Sequence, residues 1–218
     1  MMVVKRTATA LVIAALVILA IIHVPPRWFV PITAFLAALA IFEYAILLRR
    51  KIRHPFAYAL ALVAGAAALT CALSALSAIA AIFGNMLLLY TVAIVKISDM
   101  GGFAFGLSSA RLMKGGNHKM CPSISPNKSW EGLFGSLFGS CLVSCCFMPT
   151  TGFSPAKSLA LGIAAALLGT LGDLVESKFK RWVGVKDSSA MKFTNGMGGI
   201  LDMLDSLLIA PAVILAFL

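Results

Sequence analysis

The residue type best suited to chemistry in this sequence is the carboxylate, and carboxylates are concentrated in its second half. Of the eight Asp and Glu residues, only Glu43 lies among the first ninety positions. The other seven are Asp99, Glu131, Asp173, Glu176, Asp187, Asp202 and Asp205. Asp202 and Asp205 are three residues apart, which places both side chains on one face of a helix. Asp173 and Glu176 repeat that spacing, so the sequence predicts that its chemistry lies in the C-terminal half.

These acids fall within or beside strongly apolar runs, where each charge needs a partner. A carboxylate inside a membrane span costs on the order of 3 kcal/mol, and no Lys or Arg stands one turn from Asp202 or Asp205 in the last run. Mg²⁺ takes a few carboxylate oxygens and leaves its other positions to water and phosphate. We therefore expect Asp173 and Asp202 to contact a divalent metal. Asp205 is either a further ligand or a group that supports one.

An alternative interpretation is that the acids have a structural role. In that case they form salt bridges across helices with cations of the preceding run, namely Lys178, Lys180 or Arg181.

The composition is that of an integral membrane protein. Hydrophobic residues make up 61% of the 218 positions, charged residues 12%, and the mean hydropathy is +0.98. These values lie far outside the range of soluble globular proteins. The net charge of +10 is interpreted as a bias of Lys and Arg toward cytoplasmic loops, so nucleic acid is not an expected partner.

Seven apolar runs are long enough to cross a bilayer, which takes about twenty residues. They lie near 7–24, 30–48, 55–75, 79–98, 130–148, 158–177 and 198–218. The first run has no small-residue cleavage site after it, so an uncleaved anchor is expected. The least distinct boundary is between the third and fourth runs, where the break signals are Ser74, Ser77, Gly84 and Asn85.

The distribution of Lys and Arg predicts the orientation of these helices. With seven crossings and the N-terminus inside, only Arg27 and Lys157 fall in outside loops and Lys96 lies at the inner end of its span. We therefore predict an all-α membrane protein of about seven helices, with a cytoplasmic N-terminus, an outside C-terminus and the site at the cytoplasmic face. Residues 1–218 form one domain, in which 1–95 anchor the chain and 96–218 form the catalytic region.

Two segments at the ends of predicted helices carry residues that could take part in a site, glycines in one and a lysine in the other. In 98–106, Asp99 is followed by a Gly-rich stretch, which indicates either a turn at the site or close helix packing. In 125–132, Lys128 and Ser129 precede a predicted helix and would form a phosphate cradle. The alternative for the second segment is a solvated basic loop.

A third segment, 172–206, resembles the signature of the phosphatidate cytidylyltransferase (CDP-diacylglycerol synthase) family. That signature runs S-x-x-K-R-x(4)-K-D, then P-G-H-G-G, then x-x-D-R-x-D. The matching residues are Ser177, Lys180, Arg181, Lys186, Asp187, Gly196, Gly198, Gly199, Asp202 and Asp205. The upstream segment is similar to the family's S-P-K-K-T-W-E-G element at Ser125, Pro126, Lys128, Trp130, Glu131 and Gly132. Met197 and Met203 stand where the family has His and Arg, and the spacer after Asp187 is two residues longer.

The resemblance implies an inner-membrane enzyme that transfers a cytidylyl group from CTP to phosphatidate, releasing pyrophosphate. It implies catalytic roles for Asp173, Asp202, Lys186 and Asp187, and Mg²⁺ bound by Asp173, Asp202 and Asp205. It also implies substrate binding by cations, hydroxyls and glycines. These are Lys128, Lys180, Arg181, Ser125, Ser177, Gly196, Gly198 and Gly199.

Three other functions stay open. A related CTP-dependent lipid kinase or CDP-lipid synthase would act on another lipid with the same residues. An ion-coupled transporter would use Asp173, Asp202 and Asp205 as cation sites, and a non-catalytic assembly protein would use its acids only in ion pairs. Gly135 and Gly139 form a GxxxG pair that marks either a contact within the fold or a homodimer seam.

Overall fold

The computed structural model describes residues 14–185 and 199–218. The helices are α1 (Ala14–His23), α2 (Phe29–Lys51), α3 (Pro55–Phe83), α4 (Asn85–Leu112), α5 (Trp130–Cys146), α6 (Met148–Thr151), α7 (Pro155–Val183), α8 (Ile200–Leu204) and α9 (Ala210–Phe217). Short 3-10 turns cover Pro26–Trp28 and Asp205–Leu207. Strands β1 (Lys119–Cys121) and β2 (Ser125–Ser129) lie between α4 and α5.

Within the described ranges, five segments are long and apolar enough to cross a membrane. They are Pro26–Lys51, α3, α4, α7 and the interrupted segment Ile200–Phe217. α1 and α5 are shorter apolar helices. The fold is therefore mostly helical and suits a multi-pass membrane protein, while the count of seven crossings and the orientation stay predictions.

The boundary between the third and fourth runs is at Gly84. The backbone of Gly84 has a φ of 89°, which an L-residue rarely adopts, and its N–H closes α3 on the carbonyl of Ala80. The prediction that the third run ends near residue 75 was wrong. The hydroxyls of Ser74 and Ser77 bond to carbonyls of their own helix at 2.9 Å, so these residues do not break it.

Three further expectations need correction. The Gly-rich stretch 98–106 is not a turn, because α4 continues through it. The last run is not one unbroken helix, because the 3-10 turn Asp205–Leu207 interrupts it. The fold is not purely α-helical either, since β1 and β2 form an antiparallel hairpin that pairs Lys119 with Ser129.

The glycines of α4 and α5 bring these two helices into backbone contact. A Cβ on Gly101 would collide with the carbonyl oxygen of Gly135, and one on Gly139 would lie 3.0 Å from the carbonyl oxygen of Ile97. The Gly135 and Gly139 pair therefore marks a contact within the fold, as one of its two interpretations predicted.

The core lies where α4 and α7 meet α3 and α9. Its fully buried side chains include Tyr90, Ile94, Val95, Leu161, Ala165 and Ile214. Large apolar side chains also point outward, including Phe35, Phe56, Val63, Phe103 and Phe134. An apolar exterior of this extent fits a surface covered by lipid.

We expect Gly135→Val to destabilise the protein, because the added side chain must push α4 away from α5. Overpacking of this kind costs about 1–3 kcal/mol. The apparent melting temperature of the purified protein in detergent measures the effect. Cys146→Val, on the exposed side of the same helix, is the control and should melt like the unmodified protein. Equal melting of all three proteins would contradict the close contact.

Candidate active site

Helix α7 lies against the last segment of the chain, Ile200–Phe217, at Gly172. A Cβ on Gly172 would lie 2.5 Å from the carbonyl oxygen of Asp205, a distance that real Cβ atoms do not show. One turn earlier, a Cβ on Gly169 would lie 3.9 Å from Oδ1 of Asp99 and 4.0 Å from Cβ of Ser206. The absence of side chains at these positions brings the carboxylates of three helical segments together.

The first carboxylate pair is formed by Asp173 and Asp205. Their side chains are within hydrogen-bonding reach of each other. Lys128 of strand β2 forms an ion pair with Oδ2 of Asp173, and its Nζ also donates to the carbonyl of Thr170 at 3.4 Å. One cation thus offsets part of the charge of two adjacent acids.

The second pair is formed by Glu176 and Asp202, one turn further along α7. Lys180 lies between them, with its Nζ 2.6 Å from Oε2 of Glu176 and 2.7 Å from Oδ1 of Asp202. Oδ2 of Asp202 accepts a hydrogen bond from the backbone N–H of Gly199 at 2.9 Å. Glu176 is only 5% exposed, so Lys180 is the charge that makes its burial tolerable.

Asp99 and Lys96 of α4 border the first pair. Nζ of Lys96 donates to the carbonyl of Met203 at 3.1 Å and to the hydroxyl of Ser206 at 3.0 Å. The same Nζ lies 3.8 Å from Oδ2 of Asp99. The sequence pointed to Asp99 but missed Lys96 and Ser206. The available signal was that Lys96 is the single cation in the apolar run 79–98.

The hairpin holds Lys128 against α7. Nε of Arg181 donates to the carbonyl of Ile124 at 3.4 Å, which fixes the hairpin at a second position on that helix. Ser129 is the N-cap of α5, with its hydroxyl accepting from the N–H of Gly132 at 3.1 Å. Oε1 of Glu131 lies 2.7 Å from Nδ1 of His118. In this structure Ser129 and Glu131 therefore hold the hairpin and helix, while Lys128 reaches the carboxylates.

The structure pairs the predicted metal ligands differently from the sequence analysis. Asp173 was expected to act with Asp202, but its carboxylate neighbour is Asp205, while Asp202 contacts Lys180 and Gly199. Across residues 14–185 and 199–218, no group of three or more His, Cys, Asp or Glu side chains is arranged to hold a metal ion.

The other predicted site residues are placed as follows. Lys180 pairs with carboxylates, as the structural alternative proposed, and Arg181 contacts a backbone carbonyl. Ser177 is half-buried on α7, Ser125 begins β2, and Gly199 is the N-cap of α8. Four residues lie outside the described part of the chain, namely Lys186, Asp187, Gly196 and Gly198.

Comparison with known proteins identifies the family of this chain. Residues 56–218 match the model of the cytidylyltransferase family. The chain belongs to that family. The match includes both carboxylate pairs, Lys128 and Lys180, so the cytidylyltransferase region contains the whole cluster described above.

Several curated relatives are named phosphatidate cytidylyltransferase. The protein of Staphylococcus aureus strain COL is 44% identical over 121 residues, which are 55% of this chain and 44% of the relative. The protein of Mycobacterium bovis is 39% identical over 127 residues, which are 57% of this chain and 38% of the relative. The aligned part of this cytidylyltransferase thus spans less than half the length of these relatives.

We expect Lys180→Met to destabilise this cytidylyltransferase, because Glu176 and Asp202 would be left adjacent and without their cation. Breaking a buried ion pair in this way costs about 3–5 kcal/mol. The apparent melting temperature in detergent should fall clearly. Lys178→Met removes an exposed cation two positions away and serves as the control. A melting temperature for Lys180→Met equal to that of Lys178→Met would contradict the charge balance.

Proposed function

We propose that this chain transfers the cytidylyl group of CTP to phosphatidate, giving CDP-diacylglycerol and pyrophosphate. The observation that carries the proposal is the cluster of two carboxylate pairs with Lys128 and Lys180 between α7 and the last segment. The family membership and the name of the curated relatives support it. The partners are then CTP, phosphatidate and the surrounding lipids, and the location is the cytoplasmic membrane.

The donor set at the first pair fits Mg²⁺. Asp173 and Asp205 offer only oxygen, which a hard cation prefers, and two like charges in contact favour a cation between them. Mg²⁺ commonly uses one or two carboxylates and completes its shell with water and substrate phosphate. Asp173 and Asp205 would hold the ion, with Asp202 nearby on the same segment. When bound, the ion supplies positive charge against the phosphates of the nucleotide.

The bond changes need little proton transfer. A phosphate oxygen of phosphatidate forms a bond to the α-phosphorus of CTP, and the bond from that phosphorus to the bridging α–β oxygen breaks to release pyrophosphate. A phosphate monoester already carries about −1.5 to −2 charges at neutral pH. The nucleophile is therefore active without a general base, and Met197 in place of the family's histidine is compatible with the reaction.

The protein's task is then to bring two polyanions together and to offset their charge. Lys128 is suited to this task because it already contacts Asp173 and lies on a hairpin rather than within a helix. Lys180 keeps Glu176 and Asp202 in place, so its role is charge balance within the site rather than contact with the triphosphate. Ser125, Ser177, Arg181, Lys186, Asp187, Gly196, Gly198 and Gly199 are proposed substrate or catalytic contacts because they match the family motif.

The proposal is tested with the purified full chain in lipid nanodiscs, supplied with radiolabelled CTP, phosphatidate and Mg²⁺. We expect CDP-diacylglycerol and pyrophosphate in equal amounts. Asp173→Asn and Asp205→Asn should each lower turnover on the order of 100-fold, since each removes a charged ligand of the proposed Mg²⁺, which offsets the charge of the reacting phosphates. Lys178→Gln, which changes an exposed side chain of α7 instead, is the control and should retain most of the turnover.

Other outcomes of the same assay separate the remaining functions. Faster turnover with a phosphorylated polyprenol than with phosphatidate would indicate a related enzyme for another lipid. The absence of any CTP-dependent product from the unmodified chain would contradict the proposed reaction and favour transport or assembly.

Removal of divalent metal gives an independent prediction. Excess EDTA should abolish turnover, and added Mg²⁺ should restore it, because two adjacent carboxylates alone would repel the triphosphate. In Asp205→Asn, the Mg²⁺ concentration for half-maximal turnover should rise by about tenfold or more. Turnover that persists in EDTA would contradict the metal.

A further inference from the structure

Glu43 is a buried carboxylate in the part of the chain that was expected only to anchor it. It lies on α2 and is 1% exposed. The match to the cytidylyltransferase family begins at residue 56, so Glu43 precedes it. Ionisable groups within membrane segments are costly and as a rule serve function.

The carboxylate of Glu43 contacts the backbone next to the site. Its Oε2 accepts a hydrogen bond of 2.9 Å from the N–H of Leu201. The N–H of Gly199 is taken by Asp202. Two carboxylates, one from α2 and one from the segment itself, therefore satisfy N–H groups at the start of α8, which have no partner within that helix.

This contact matters because α8 is short. It contains only five residues and passes directly into the 3-10 turn Asp205–Leu207. Leu201 is adjacent to Asp202 and about one turn before Asp205. A bond that fixes the N–H of Leu201 therefore limits how this short segment can rotate or slide, and so fixes the direction of both acids.

Helix α2 is in turn held against α7, which carries the partner acids. The ring of Tyr44 packs on the ring of Phe179 with centroids 5.1 Å apart, and Tyr44 directly follows Glu43 in the sequence. Glu43 thus links the last segment to a helix that is itself in contact with α7.

We propose that Glu43 is a positioning residue for cytidylyl transfer, which orients Asp202 and Asp205 by holding the backbone N–H of Leu201. This inference rests on the proposed function, since it assigns a role in that reaction. It extends the active site to a helix that lies outside the family match.

The test compares Glu43→Gln and Glu43→Met in the full chain in nanodiscs. Gln keeps an oxygen acceptor at the same reach, whereas Met has a similar length and no oxygen. We expect Glu43→Gln to stay within about threefold of the unmodified turnover and Glu43→Met to lose on the order of tenfold or more. The KM for CTP should change less than turnover does, because Lys128 is unaffected.

Hydrogen exchange of the same proteins supplies a readout that does not depend on activity. In Glu43→Met the backbone amides of 199–205 should exchange faster, while those of α3 and α4 stay unchanged. Thr33→Val is the control on the same helix, because the Thr33 hydroxyl donates to Phe29 of α2 itself at 2.8 Å. It should alter neither turnover nor exchange in 199–205.

The opposite outcomes are distinct. If Glu43→Met turns over as fast as the unmodified protein, Glu43 does not position the segment. If Glu43→Gln loses as much turnover as Glu43→Met, the oxygen acceptor is not what matters, and the assignment is overturned as well. Faster exchange throughout Glu43→Met would show a general structural role and overturn it as well. If the unmodified chain makes no CDP-lipid, the proposed function fails, and the positioning role in that reaction fails with it. Faster amide exchange confined to 199–205 in Glu43→Met would then still verify the contact between Glu43 and the segment.

Discussion

Four carboxylates lie between α7 and the last segment of an apolar helical bundle, and each of them needs a compensating charge. Lys180 serves Glu176 and Asp202 together, and Lys128 reaches Asp173 from the hairpin. Among the described residues, each pair has one lysine in an ion pair with it, and Lys96 lies beside the first pair. Lys180 bridges both acids of the second pair, whereas Lys128 pairs with Asp173 of the first, so a further cation is favoured at Asp173 and Asp205. The rest of the fold is organised around holding these two pairs one helical turn apart.

Close backbone contacts make that arrangement possible. Gly172 allows the main chain of Asp205 to lie against α7, and Gly169 of the same helix lies beside the carboxylate of Asp99. Glycine in a helix lowers its intrinsic stability, so these helices depend on packing and on the surrounding lipid. The last segment is interrupted by the 3-10 turn Asp205–Leu207, and the carbonyl of its first residue lies at Gly172.

The sequence predicted the helical membrane fold for an identifiable physical reason, since the length of an apolar run indicates a helix regardless of its partners. The site residues came from the family resemblance, and the structure brings Lys128 to Asp173 and Lys180 to Asp202. The pairing of Asp173 with Asp205 was missed, because it depends on the approach at Gly172 and on the break after Leu204. Glu43 was missed for a related reason: a contact over 158 positions leaves no local signal. The glycines at 101 and 102 left a turn and close helix packing open, and the structure shows the packing.

The length of α7 has a consequence for how a lipid substrate would meet the carboxylates. Its 29 residues span about 43 Å at 1.5 Å per residue, well beyond the roughly 30 Å of a hydrocarbon core. The helix must tilt or project past the lipid at one end. Asp173 stands about 27 Å from the start of the helix at that rise, about 5 Å past its midpoint, on the side that carries Lys178, Lys180 and Arg181. On the proposed function, a phosphatidate headgroup would meet the acids at that depth while its acyl chains stayed among their neighbours, so no lipid would have to be extracted for catalysis.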